Sequence, residues 1–229
     1  MKRGPKARMI RGAIFDIDGT LLDSMPAWED AGARYLRSIG IEPEPNLRQL
    51  LFPMSVEEGA AYLKKHYDLP QSEDEIGQGV LDIVENCYRF EVPLKPGAEV
   101  LLRRLREADI PIVAATSGNE TLDRAALTRL GVAEHFSAIL TCGQLNTSKR
   151  EPIIYQRAAK LLGAAPEEIL VFEDALYAAR TAKQAGFLVA GVYDAASDGD
   201  GAALRELCDW YLSRLDDTKF WNEITGQNT

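Results

Sequence analysis

The 229-residue chain is poor in several residue types, and each shortage excludes something. It has three cysteines, Cys87, Cys142 and Cys208, odd in number and widely scattered, so neither a disulfide framework nor a Cys-x-x-Cys pair is available. It has two histidines, His66 and His135, with no spaced partner, which argues against a histidine-based zinc site. It lacks long apolar runs; the longest stretches, such as 110–115, fall far short of the roughly 20 residues needed to cross a bilayer. Positive charge is also short. The formal net charge is −9, and the one basic stretch is Lys2, Arg3, Lys6, Arg8 and Arg11 at the start. This argues against nucleic acid as a partner and leaves the basic arm as a solvated terminus. The apolar run Ala13-Ile14-Phe15 meets Asp16 at once, so no signal-peptide core develops, and a cytoplasmic compartment is expected. With no membrane partner indicated, a monomer is the default expectation.

What is present is enough apolar material, 46% of residues, for an ordinary core. Short β-branched runs at 12–16, 110–116, 138–142, 169–173 and 188–192, with a weaker one at 210–212, alternate with helical patterns. Residues 97–108 place Ala98, Leu101, Leu102, Leu105 and Ala108 on one face, and 152–162 do the same with Ile154, Ala158, Leu161 and Leu162. Uniformly apolar strands between helices predict a doubly wound parallel α/β sheet covered on both faces. Gly131, Gly163 and Gly186 each follow a helical pattern and precede an apolar residue, the form of a left-handed helix end.

Residues 25–92 break the alternation. Trp28, Ala31, Tyr35, Leu36 and Ile39 recur at helical spacing up to Gly40; 46–52 and 55–67 read as shorter helices; Ile76, Val80, Ile83, Val84 and Cys87 line a long helix after Ser72, with Glu75 completing a capping box. The chain is therefore expected to consist of an α/β domain, 1–24 with 93–229, and an inserted helical domain, 25–92. The connections lie near Asp23-Ser24 and at Val92-Pro93-Leu94-Lys95-Pro96-Gly97.

The strongest chemical signal is Asp16-Ile17-Asp18-Gly19-Thr20-Leu21-Leu22-Asp23-Ser24. Two carboxylates two residues apart in an extended segment point the same way. They follow an apolar strand, and parallel sheets bind ligands beyond the carboxyl ends of their strands. Gly19 permits a sharp turn and Thr20 adds a hydroxyl that could contact phosphate. Glu173-Asp174 ends another apolar run in the same way. If those strands are neighbours, four carboxylates meet. Two like charges about 4 Å apart repel by roughly 4 kcal/mol at an effective dielectric near 20, so the cluster calls for a cation or for protons. The donors are all oxygens, which favours Mg²⁺ over Zn²⁺. Thr116-Ser117-Gly118-Asn119 closes another strand with groups suited to phosphate oxygens, or alternatively to a helix N-cap by Ser117 or Asn119. Lys149 precedes a helix starting near Pro152.

These four elements, in this order, resemble the haloacid dehalogenase superfamily of phosphohydrolases. The inserted helices look like the cap of the subfamily that contains phosphoglycolate phosphatase and β-phosphoglucomutase. The resemblance implies that Asp16 is the nucleophile that becomes an aspartyl-phosphate. Asp18 would be general acid and then base, its backbone carbonyl also binding the metal. Thr116, helped by Ser117 and Asn119, would contact the phosphoryl oxygens, Lys149 would neutralise charge, and Asp174 with Glu173 would hold Mg²⁺. The expected partner is a small phosphorylated metabolite. Two departures stand out: Arg150-Glu151-Pro152-Ile153 replaces the usual Pro-x-Pro-Asp, and Ala175 replaces the serine of Glu-Asp-Ser, removing a hydroxyl beside the metal loop.

Four alternatives share the resemblance. A sugar-phosphate mutase needs cations to grip a second phosphate, and residues 50–58 contain no Arg or Lys. A phosphonate hydrolase would need a Schiff-base lysine such as Lys64 or Lys65, which sit on what reads as a solvated face. A dehalogenase would not need the Glu-Asp pair. A non-catalytic binding or regulatory module would be expected to have lost Asp16 or Asp18, and both are present. Hydrolysis through Asp16 is the reading the residues favour.

Overall fold

The computed structural model describes residues 10–226, and most of the basic arm, Lys2 to Arg8, lies outside them. Two compact units form: one from the residues up to Asp23 together with Pro93 onward, and one from Ser24–Val92.

The first unit is built on a six-stranded sheet: β1 (Gly12–Phe15), β2 (Ile112–Thr116), β3 (Phe136–Thr141), β4 (Ile169–Glu173), β5 (Leu188–Val192) and β6 (Trp210–Leu212). Every pairing is parallel and the order is β3-β2-β1-β4-β5-β6. The chain winds one way from β1 to β3 and the other way from β4 to β6. The switch point lies between β1 and β4, where open α/β sheets have their ligand crevice. Four central strands are buried along their whole length, as expected where helices cover both faces. On one face Phe15 and Phe172, register partners, stack with centroids 4.1 Å apart. On the other, Ile14, Val113, Val171 and Val189 pack with Ile154, Tyr155, Ala158, Ala179 and Ala182.

The helical unit contains α1 (Met25–Ser38), α2 (Leu47–Leu51), α3 (Val56–His66) and α4 (Glu73–Phe90). Ser55 and Ser72 each form a capping box, with Glu58 and Glu75. Tyr35, Leu36, Leu47, Leu63 and Ile76 form the unit's own core.

The remaining helices belong to the first unit: α5 (Ala98–Glu107), α6 (Glu120–Arg129), α7 (Ile153–Leu162), α8 (Leu176–Gln184), α9 (Gly201–Leu207) and α10 (Thr218–Thr225). Gly131, Gly163 and Gly186 adopt positive φ, as the helix-end pattern predicts. Two expectations need correction. Leu161 is 51% exposed, because α7 buries Ile154, Tyr155, Ala158 and Ala159, a face rotated by about one residue. Ala108 lies beyond the end of α5 and is exposed. Cys208 is half-buried, unlike Cys87 and Cys142.

Candidate active site

Asp16 is the residue immediately after β1, and its N–H donates to the carbonyl of Phe172 on the neighbouring β4 (3.0 Å). Glu173 is the last residue of β4, followed by Asp174. The topological switch therefore brings the two acidic motifs side by side. Ligand oxygens of Asp16, Glu173 and Asp174 all lie within 4.8 Å of one another, and the three side chains are buried.

The order within this cluster comes from residues far away in sequence. Lys149, 3% exposed, donates to Glu173 Oε1 (2.6 Å) and to Asp16 Oδ1. Burial alone would depress the Lys149 pKa, but Asp16 and Glu173 outweigh it and raise it. Tyr155 of α7 donates its hydroxyl to the same Glu173 oxygen at 2.7 Å. Burial and then Glu173 push that phenol upward, so it is a firm donor. Thr20 and Ser197 hold Asp174, one on each oxygen, at 3.1 and 3.0 Å. Gly19 has φ +79°, and a Cβ there would sit 2.7 Å from Asp174 Oδ2, so the first acidic loop lies directly against the second.

One lysine faces three carboxylates. Burial pushes Glu173 upward despite Lys149, and burial with Asp16 pushes Asp174 up to about 7. Burial first, and the crowding of carboxylates second, disfavour the charged forms, and one lysine does not offset this. An all-oxygen, net-negative pocket of this kind fits a hard divalent cation, and Asp16, Glu173 and Asp174 could hold one.

The other expected site residues fall as follows. Asp18 is half-buried and its Oδ2 lies against the phosphate-type turn: a Cβ on Gly118 would meet it at 2.8 Å. It stands outside the trio of clustered side-chain oxygens. Thr116 ends β2, is fully buried, and accepts the Gly118 N–H at 2.8 Å. Ser117 is exposed, 3.6 Å from Cys142 Sγ. Asn119 is the N-cap of α6, accepting from Thr121 and Leu122 N–H. Thr20, expected at the phosphate, is fully buried and its hydroxyl donates to Asp174, so it joins the two acidic loops. Lys64, one imagined Schiff-base lysine, donates to the carbonyls of Leu69 and Gln71.

Three participants escaped the sequence reading. Tyr155 and Ser197 carry no motif. Asp123 lies on α6, four residues past its N-cap, fully buried, with neither carboxyl oxygen hydrogen-bonded among the described residues. Burial first, then the charges of Asp18 and Asp16, push its pKa up to about 8; the nearby Thr116 hydroxyl and Lys149 weigh less. An acid on the inward face of a helix just behind the Thr116 turn was the available signal.

The family model for haloacid dehalogenase-like hydrolases matches residues 10–186. The chain belongs to the haloacid dehalogenase-like hydrolases. It is 33% identical over 167 residues to hexitol phosphatase A of Escherichia coli, covering 72% of this chain and 74% of that protein. It is 30% identical over 192 residues to phosphoglycolate phosphatase of Neisseria gonorrhoeae, covering 80% of each. A Thermotoga maritima crystal structure provisionally named a β-phosphoglucomutase superposes with a TM-score of 0.82 over 95% of this chain and 98% of that one, at 24% identity, a likeness of fold. The chain is accordingly a phosphatase of this family, and the binding-module reading falls away.

The helical unit holds a cavity of its own, about 260 Å³, lined by Met25, Trp28, Phe52 and Met54 among others, with Glu29 the one charged lining residue among those described.

Proposed function

We propose that this phosphatase hydrolyses a small phosphorylated metabolite, of the sugar-phosphate kind named for its relatives, through an aspartyl-phosphate on Asp16 with Mg²⁺ as cofactor. The observation that carries the reading is the meeting of Asp16, Glu173, Asp174 and Lys149 in one buried cluster at the β1/β4 switch point.

Mg²⁺ would be held by Asp16, Glu173, Asp174 and the Asp18 backbone carbonyl, and when bound it supplies charge to offset the phosphate dianion. Asp16 attacks phosphorus, and the bond to the leaving oxygen breaks. Asp18 gives that oxygen a proton, so an alcohol departs. In the second half Asp18 takes a proton from water as the water attacks phosphorus, freeing phosphate and restoring Asp16. Two displacements with a positioned carboxylate replace one hard displacement by water. Lys149 holds Asp16 in place and lowers its repulsion toward phosphate. Thr116, with Ser117 and the adjacent backbone, receives the phosphoryl oxygens, while Asn119 fixes the start of α6.

Hydrolysis is favoured over mutase chemistry because the helical unit's segment 50–58 carries no cation for a second phosphate, and nearby Arg48 faces Asp30 at 3.6 Å. We assign substrate choice to the helical unit and its apolar cavity. A panel of phosphomonoesters, including hexitol phosphates, phosphoglycolate and glucose 1-phosphates, assayed for free phosphate and for isomerised product tests this. Free phosphate released with added Mg²⁺ and abolished by EDTA is expected. Isomerisation without phosphate release would overturn the hydrolase reading, and a rate indifferent to EDTA would overturn the metal.

A further inference from the structure

The hydroxyl missing beside the metal loop returns from elsewhere in the chain. Ala175, at the N-cap of α8, has no side-chain capping bond. Yet both oxygens of Asp174 are engaged: Oδ1 accepts from Thr20 Oγ1 at 3.1 Å and Oδ2 accepts from Ser197 Oγ at 3.0 Å. Ser197 lies in the turn after β5, 23 residues downstream of Asp174. A carboxylate has about four acceptor sites, so two hydroxyl donors leave lone pairs for a cation while removing rotation about the Cβ–Cγ bond. Oδ2 is confined on its other side by Gly19, whose lack of a Cβ permits the approach.

Ser197 is itself fixed. Its N–H donates to the Asp194 carbonyl at 3.2 Å. Asp194, 3% exposed, accepts the Ala196 N–H on Oδ1 at 2.8 Å and the Lys95 ammonium on Oδ2 at 2.8 Å. An ion pair whose acid is buried and carries a second hydrogen bond resists displacement, because parting it would strand the buried carboxylate. The donor to Asp174 thus stands on a turn anchored to Lys95, which precedes α5.

We propose that Ser197 is a positioning residue for the metal site: it orients the Asp174 carboxylate for Mg²⁺ in place of a hydroxyl at position 175, and the Asp194–Lys95 pair holds it there. The proposal rests on the Mg²⁺ reading above and concerns affinity, not the chemical steps. Groups that orient a metal ligand from behind commonly govern about 10-fold or more of metal affinity.

The test is Mg²⁺ binding to the full chain by titration calorimetry, with Mn²⁺ electron paramagnetic resonance as a second probe, in wild type, Ser197→Ala, Ser197→Thr and Asp174→Ala. Ser197→Ala is expected to bind about 10-fold more weakly. Ser197→Thr, which keeps the hydroxyl, stays near wild type, and the metal-free circular dichroism of both matches wild type. In turnover, Ser197→Ala raises the Mg²⁺ concentration for half-activation and leaves kcat at saturating Mg²⁺ nearly unchanged. If wild type and Asp174→Ala bind Mg²⁺ alike, the metal reading itself fails. If wild type binds, Asp174→Ala does not, and Ser197→Ala matches wild type, the positioning role is overturned. Equal weakening by Ala and Thr overturns it too, since the hydroxyl would then not be the active element.

Discussion

Asp123 shows most clearly what the site costs at the level of a single residue. A fully buried carboxyl with no hydrogen-bond partner among the described residues is uncommon in a folded chain. Its neighbours in charge are Asp18 and Asp16 against Lys149, and its pKa rises to about 8. A carboxyl raised in the folded state binds more protons there than when unfolded. The stability it permits is therefore complete below the ordinary carboxylate range and drains away as pH climbs toward 8. Asp123→Asn removes the titration without changing shape. In metal-free protein its stability relative to wild type should grow by up to about 1 kcal/mol per pH unit between pH 5 and 8. Urea midpoints at several pH values measure this, and curves running parallel across that range would reject the assignment. Sequence patterns did not expose Asp123, Tyr155 or Ser197, because each acts through a contact made by folding and not through local spacing. Asp16, Asp18 and the Glu173-Asp174 pair were legible because strand-end acids two or fewer residues apart define their geometry locally.

Turns and caps decide how well the elements place those residues. Gly19 combines φ +79° with a Cβ position 2.7 Å from Asp174 Oδ2, so Gly19→Ala meets both a left-handed backbone and a metal-loop carboxylate. It should cost about 1–2 kcal/mol from the backbone alone and weaken Mg²⁺ binding as well. Wild-type metal affinity in that variant would show that the close approach is incidental. In the helical unit, Ser72→Ala breaks the capping box of α4, where Ser72 accepts the Glu75 N–H at 3.2 Å and Glu75 accepts the Ser72 N–H at 2.7 Å. A loss of about 1 kcal/mol is expected by denaturant unfolding, with the rate on p-nitrophenyl phosphate at low temperature preserved. The strands, the helices of the inserted unit and the capping box at Ser72 were readable from apolar period and cap residues. The buried face of α7 lies about one residue away from its apolar stripe and includes Tyr155, whose hydroxyl reaches Glu173.

For the molecule as a whole, the cluster links folding to protons and metal. Asp123 and Glu173 are both pushed up to about 8, and Asp174 up to about 7. All three shifts have the same sign, so metal-free protein should lose melting temperature steadily from pH 5 to 8. Lys149 is raised as well, and for a lysine that stabilisation persists throughout this window. A cation competes with protons for the carboxylates, so Mg²⁺ should raise the melting temperature more at pH 8 than at pH 5. A metal-free profile flat in pH, or an Mg²⁺ effect larger at pH 5, contradicts this. The sheet order could be anticipated in class but not in detail: sequence predicts parallel strands, whereas the adjacency of β1 and β4 arises from packing and creates the site.

The most direct test of the mechanism is to find the phosphoryl group on the enzyme. Protein mixed with a good phosphomonoester substrate and Mg²⁺ is quenched in acid within one turnover, digested and analysed by mass spectrometry. One phosphoryl group on the peptide carrying Asp16 is the predicted result, lost in Asp16→Asn while that variant keeps its circular dichroism. Turnover by Asp16→Asn at the wild-type rate, or a phosphoryl group trapped on another side chain, would contradict nucleophilic attack by Asp16.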